Sequence, residues 1–441
     1  MRERLLAAAA AVAWLVPVAA TSQTQVVAPV PAQPAPPRAP APAANSFEKV
    51  TFEQAVSRAI EHHPTVGEAA QAILRAQALL DQSKSVFRPT AYGNVGVVML
   101  DAARGFEGFQ TVPRTQTTWS GTIAYPILDA VGWASKNAAA DQVQIAKISA
   151  EETRRQVAVT AAQAYLAVIA AQRQVQIAIR NLDTAGALED YAKARLDAGK
   201  GSRLNHVRST QERGTAELQL ELAELLVRQA QEALGVAVFA DAPLDANGDP
   251  HLEPAPPPTS DAWLMQRPDV RLFSAQVDAS QRVAHDAWRA WLPSASVGFT
   301  PQYVNPKGGF EPAKTWSATF QLQLPIYDST IAPARRAKFA DFETSRYRFD
   351  QVKVEARAEQ RLAQETVTRR EQMVVSSRVS SEAAAEALRI SQIAYEAGAT
   401  SNIEVVQAQQ AARNTEIALA VAEDRLRQAR LDLLVSLGLF P

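Results

Sequence analysis

The sequence predicts a mixed fold of α-helix and transmembrane β-strand. Four strands per chain enter a β-barrel shared between chains, and the barrel continues into a long α-helical coiled-coil barrel. Three observations predict this. The chain carries the same landmarks twice: Pro64 and Pro89 lie 25 residues apart, as do Pro268 and Pro293, and Pro126 precedes Gly199 by 73 residues, as Pro325 precedes Gly398. Each half holds two stretches with a period of two, and each then runs into a helical pattern of 68 residues. Order and spacing kept this closely mark two internal repeats, which must be read before any single element.

The elements follow in chain order. Met1-Arg2-Glu3-Arg4 is a short basic start, Leu5 to Val18 is an apolar run, and Val18-Ala19-Ala20 offers small residues for cleavage. Residues 1–20 therefore read as a secretory signal peptide. Residues 21–46 form a Pro-rich linker, too poor in core-forming residues to bury a face of their own. The first repeat spans 47–250, a second Pro-rich connector 251–260, and the second repeat 261–441.

Each repeat opens with a helix, about Val66 to Val86 and Val270 to Trp291, stopped by the proline at 89 or 293. Two strands follow. In one, Trp119, Gly121, Ile123 and Tyr125 alternate with Thr118, Ser120, Thr122 and Ala124; Trp316 to Leu324 and Ala295 to Tyr303 alternate likewise, and Ala91 to Leu100 less cleanly. One face is apolar and the other carries Ser, Thr and Gln, the pattern of a tilted strand between lipid and a wet lumen. The long helices, Ala130 to Asp197 and Thr330 to Ala397, would each reach about 100 Å at 1.5 Å per residue. Each ends at a tight tip: Gly199-Lys200-Gly201-Ser202, then Gly398-Ala399-Thr400-Ser401. Glycine supplies the left-handed cap, and serine can cap the returning helix. Ser401 with Glu404 has the spacing of a capping box.

Four strands cannot close a cylinder, and an open edge is excluded from lipid. The barrel must be shared; two chains give about eight strands and three give about twelve, with room for a channel.

Composition excludes other classes. Net charge is −1 with a pI near 6.6, which leaves no electrostatic footprint for nucleic acid. With no cysteine, thiolate metal sites, disulfides and cysteine nucleophiles are excluded. No nucleophile–base pair, phosphate loop or metal motif appears, so no catalytic residues, cofactor or metal are expected. His62-His63 before Pro64 reads as a cap or surface pair.

The signal peptide, the duplication, the helix-to-strand joints at Pro89 and Pro293, Tyr-Pro-Ile at 125–127 and Leu-Pro-Ile-Tyr at 324–327 resemble the TolC outer-membrane efflux family. So does Ala394-Tyr395-Glu396-Ala397-Gly398 running on to Ile403-Glu404-Val405-Val406. The resemblance covers about residues 48 to 440. It implies a homotrimer with a twelve-stranded barrel in the outer membrane and a helical tunnel in the periplasm. It also implies passive export of drugs, metals or proteins with a periplasmic adaptor and an inner-membrane transporter, in an efflux pump or type I secretion system. Any C-terminal addition to the tunnel's girdle is expected to be missing.

By the same resemblance, the two tips dock the adaptor. Acidic rings near the tips close the tunnel in this family, which makes Glu382 and Glu386 gate candidates; a solvated face with Glu386 pairing Arg389 is the plainer reading. Trp119, Tyr125, Trp316 and Tyr327, at or near strand ends, are candidates for aromatic girdles against outer-membrane lipid. The competing reading is a soluble periplasmic coiled-coil scaffold.

Overall fold

The computed structural model describes residues 47–106, 109–253, 260–309 and 312–440. The leader and the first linker lie outside the described residues, as does most of the Pro-rich connector.

The chain begins with β1 (Glu48–Val50), α1 (Phe52–His62) and α2 (Pro64–Ser85). Then come β2 (Thr90–Met99), the small hairpin of β3 (Arg104–Phe106) and β4 (Phe109–Val112), and β5 (Thr115–Leu128). The first helical hairpin is α3 (Ala130–Asp197) and α4 (Arg203–Val238), followed by β6 (Leu244–Ala246). The second repeat runs through a 3-10 turn (Asp261–Gln266), α5 (Pro268–Asp286), a second 3-10 turn (Ala287–Trp291), β7 (Ser294–Asn305) and β8 (Lys314–Gln323). It ends in the hairpin of α6 (Ile331–Glu396) and α7 (Asn402–Ser436).

Local chemistry accounts for the boundaries. Thr51 and Gln54 form a reciprocal capping box at α1. His63 caps α2, its ring accepting from the Thr65 amide, ahead of Pro64 at the first helical position. Asp129 caps α3, Oδ1 accepting from the Gly132 amide at 2.8 Å. Asp328 takes both the amide and the hydroxyl of Thr330 just before α6. The second long helix is two residues shorter than the first, 66 against 68.

Both tips use one reversal. Gly199 (φ 71°) and Gly398 (φ 78°) take the left-handed conformation, and the next amides, of Lys200 and Ala399, reach back to the carbonyls of Arg195 and Ala394 at 2.9 and 2.7 Å. This is the Schellman termination, open to glycine without a Cβ penalty. The capping box expected from Ser401 and Glu404 does not form. Ser401 makes no side-chain cap bond, and the Thr400 hydroxyl turns to Glu404 instead. The two Leu-Gly landmarks also differ: Gly438 is a left-handed cap (φ 70°), whereas Gly235 lies inside α4 and lets the carbonyl of Ala242 approach. The helix expected from Val270 to Trp291 tightens into a 3-10 turn at Ala287, short of Pro293.

The helices stand side by side as a wall. In the half nearer the strands the packing order is α2, α3, α5, α6; in the half nearer the tips α4 packs on α3, α3 on α7, and α7 on α6. At mid-height α1 and the parallel pair β1–β6 close over α3. Tyr165 is fully buried there among Val50, Ala161, Val168 and Leu234, and its hydroxyl donates to the carbonyls of Asn247 and Gly248. A fully buried aromatic of this kind needs such an acceptor.

Ion pairs join the repeats. Arg173 of α3 bridges Asp249, Glu423 and Asp424; Arg427 shares Asp249 and Asp424; Arg413 reaches Glu212 at 3.0 Å in a buried setting. Burial pushes the Asp424 carboxyl up, against the pull of Arg427 and Arg173. Buried Arg267 donates to Asp269, Glu359 and the Ser436 carbonyl, tying the connector to both helices of the second hairpin. Burial raises the Asp269 carboxyl, but Arg267 outweighs it and holds it below the ordinary aspartate value.

Candidate functional site: the barrel wall and the hairpin tips

The larger sheet has the order β2-β5-β7-β8, antiparallel throughout. Residues directly opposite one another in a sheet share a face, so the register decides what each side presents. Val95 faces Trp119 and Trp119 faces Tyr303; Ile123 faces Phe299 and Phe299 faces Ala318; Tyr125 faces Val297 and Val297 faces Phe320. Most large apolar side chains of the four strands therefore lie on one side, with Tyr92, Val98 and Val304 on the other. On the other side Asn94 meets Ser120, Ser120 meets Gln302, and Gln302 meets Thr315; Ser296 meets Gln321. The apolar side suits lipid and the polar side suits water.

The sheet is open. β2 and β8, ten residues each, are its two edges. They run in opposite directions, so β8 of one copy can join β2 of another with the antiparallel pattern unbroken. The helical wall has its edges on the same two flanks: α2 and α4 beside β2, and α6 beside β8. These edges expose apolar side chains, among them Leu74, Leu218 and Leu222 on one flank and Tyr347, Val354 and Leu362 on the other. Among the described residues no helix is long and apolar enough to cross a membrane.

The aromatic candidates fall at two levels. Trp119 sits inside β5, opposite Tyr303, and Trp316 opposite Pro301, both toward the β2–β5 and β7–β8 loops. Tyr125 lies toward the helices, and Tyr327 lies past the end of β8, exposed. Sequence reasoning missed three companions at this lower level. Trp288, Trp291 and Phe339 are exposed beside Arg335 and Arg336, around a groove between α5 and α6. Trp288 and Trp291 fall within the helix expected from Val270 to Trp291, and Phe339 within the one expected from Thr330 to Ala397.

Glu382 and Glu386 are exposed on α6. Glu386 pairs with Arg389 through two bonds of 2.7 and 2.8 Å, and that hydrogen-bonded pair holds its carboxyl below the usual glutamate range. Glu382 has no hydrogen bond or ion pair among the described residues. The tips converge: Lys200, Gly201 and Ser202 line one cleft together with Gly398, Thr400 and Ser401. Gly199 and Ala399 complete the two turns.

An open sheet, greasy outside and wet inside, set on a long helical wall defines an outer-membrane channel subunit. The chain belongs to the outer membrane efflux protein family, whose sequence model matches residues 55–238 and 260–439. It is an outer-membrane exit duct for efflux. Solved structures share the fold. The CmeC outer membrane channel of Campylobacter jejuni superposes with a TM-score of 0.77 at 16% identity, covering 88% of this chain and 86% of that one. CusC, described in connection with folding and transmembrane channel formation, gives 0.80 at 16% identity, with 89% and 93% covered. The open state of the MtrE channel of Neisseria gonorrhoeae gives 0.76 at 19% identity, with 89% and 90% covered. Among curated proteins no relative matches by sequence.

Two neighbouring residues test the assignment of faces. Ile123→Arg places a charge in lipid near mid-strand and should destabilise the assembled barrel by about 2–4 kcal/mol. Thr122→Arg points to the lumen, should leave assembly intact and should shift ion selectivity toward anions. Heat-modifiability on gels and planar-bilayer reversal potentials read the two effects; equal destabilisation by both would refute the assignment.

Proposed function

We propose that three copies of this chain form the duct of a tripartite efflux pump or type I secretion system. The chain is a passive conduit with no catalytic residues, cofactor or metal of its own. Residues 1–20 direct export and are removed, residues 21–46 and 251–260 are linkers, and 47–250 and 261–441 are the two repeat units. Substrates pass from a periplasmic adaptor and an inner-membrane transporter to the exterior.

One observation carries this reading: a four-stranded sheet with two unpaired edges, each edge continued by a helix with exposed apolar residues. Each unpaired amide or carbonyl in lipid costs several kcal/mol, so the edges require partners. Three copies supply twelve strands and an aqueous bore. A soluble scaffold has no use for a sheet that gathers Val95, Trp119, Ile123, Phe299, Trp316 and Phe320 on one exposed face. The natural chain has no cysteine, so engineered pairs can be read cleanly. Asn94→Cys on β2 with Thr319→Cys on β8, scanned over adjacent lumenal positions, should give an oxidised ladder ending at three chains. A detergent-independent monomer with no cross-link at any register would sink the trimer.

The tips, Gly199 to Ser202 and Gly398 to Ser401, are the adaptor-docking points. Their shared reversal and their place at the far end of the wall support this. Gly398→Trp, at a left-handed backbone position, should abolish export while heat-resistant trimers persist; unchanged drug or metal efflux in cells would retire the docking reading.

Glu382 and Glu386 form the acidic gate. They stand one helical turn apart on one face of α6, and threefold symmetry would gather six carboxylates. Because Arg389 holds the Glu386 carboxyl down, the charge there persists as pH falls to the ordinary glutamate range. Glu382→Gln with Glu386→Gln should reduce cation preference and alter single-channel conductance; an unaltered current would leave only a solvated helix face.

A further inference from the structure

The two hairpin tips enclose a cleft of about 230 Å³ between the ends of α3 and α6 and the starts of α4 and α7. Its walls carry Arg195, Lys200 and Arg208 and no carboxylate. None of the three cations has an ion-pair partner among the described residues. Arg195 lies against the rings of Tyr191 and Tyr395 at 5.8 and 5.4 Å and donates only to the Tyr395 carbonyl, at 3.4 Å. Half-exposed arginines such as Arg213, Arg282 and Arg357 do find carboxylate partners. Here three cations without an ion pair gather around one cleft whose lining holds no acid.

A second observation is independent of charge. Asn402, the first residue of α7, lines the cleft with only 2% of its surface exposed, and neither Oδ1 nor Nδ2 has a hydrogen-bond partner. A buried polar group left unmatched costs about 1–3 kcal/mol and calls for an absent partner. The start of α7 is open as well. Ser202 caps α4 by accepting from the Leu204 amide at 3.2 Å, whereas Ser401 caps nothing, and the acid of that turn, Glu404, is engaged by Thr400. The cleft reaches Ser401, Asn402 and Ile403, where the unpaired amides of a helix N-terminus favour negative charge.

We propose that this cleft is a carboxylate-binding site, and that its occupant is an acidic residue at the tip of the protein that docks there. The inference rests on the tips being the docking points and adds the chemistry of the partner. The guanidinium of Arg195 or Arg208 grips the carboxylate with paired N–H donors, and Nδ2 of Asn402 donates to it. Asn402 Oδ1 needs a donor, which a bare anion lacks; the backbone N–H beside an acidic side chain supplies one. The matched amide and carboxylate therefore favour a peptide-borne acid over a free ion.

The test uses purified full-length trimer and phenylglyoxal, which modifies arginine, with sites mapped by mass spectrometry. The probes are N-acetyl-aspartate N-methylamide, its asparagine counterpart, and acetate. The exposed Arg203, outside the cleft, is the internal reference. At about twice its Kd the aspartyl probe should slow modification of Arg195 and Arg208 about threefold by mass action, with Arg203 unaffected. The asparagine probe should do nothing, and acetate at the same concentration should protect less. Asn402→Leu should erase the advantage of the aspartyl probe over acetate, and Arg208→Gln should weaken both while trimers persist on gels. No protection by any probe overturns the site, and equal protection by acetate overturns the peptide-borne occupant. Failure of docking itself is read separately, by export through the Gly398→Trp channel.

Discussion

Backbone hydrogen bonding in lipid governs this architecture. The sheet offers a row of unpaired amides and carbonyls on β2 and another on β8, and hydrocarbon supplies nothing to satisfy them. Everything else is arranged around that debt. The apolar faces of all four strands are kept in register, the helical wall is built with edges on the same flanks, and apolar side chains are left bare where another copy can cover them. An even number of strands leaves the two edges antiparallel, so identical copies could extend the sheet without changing its pattern.

The helical wall obeys a different rule. Helices satisfy their own backbone, so the wall is held by side chains, and it uses small residues and ion pairs more than bulk. Ala158, Ala161 and Ala162 are fully buried and let neighbouring helices approach closely. Arg173, Arg427 and their three carboxylates bind the first repeat to the second, beside an apolar cluster in which Val56, Ala158 and Leu166 meet Leu431 and Phe440. Tyr165 and Arg267 do the comparable work at mid-height, each joining a helix to a connector through main-chain carbonyls.

Much of this was legible in the sequence because it is periodic. The helix from Ala130 to Asp197 was readable to both ends, since Asp129 and Gly199 are strong local stops. Three of the four long strands were readable from alternation; β2 was fainter, because Tyr92 and Val98 lie on the face opposite Val95 and Val97. The three-residue strands β1 and β6 were not readable: Glu48–Val50 and Leu244–Ala246 are too short to show a period, and their pairing is long-range and parallel. Of the helix Phe52–His62 only the end at His62-His63 was read, although Thr51 and Gln54 carry its capping box. At the tips, glycine and serine gave the turns, but the failure of Ser401 to cap and the isolation of Asn402 arise from packing between repeats, which no local spacing encodes. The groove of Trp288, Trp291 and Phe339 was hidden for the same reason, since two of its residues come from one helix end and the third from another.

The near-equal length of α3 and α6 has a geometric consequence. A difference of two residues amounts to about 3 Å along a helix axis, so both turns of one chain finish at almost one height. A ring of three such chains would present six footholds on a level rim, alternating in sequence yet alike in shape. A partner meeting that rim would encounter near-hexagonal symmetry from a threefold object, with every second foothold chemically distinct.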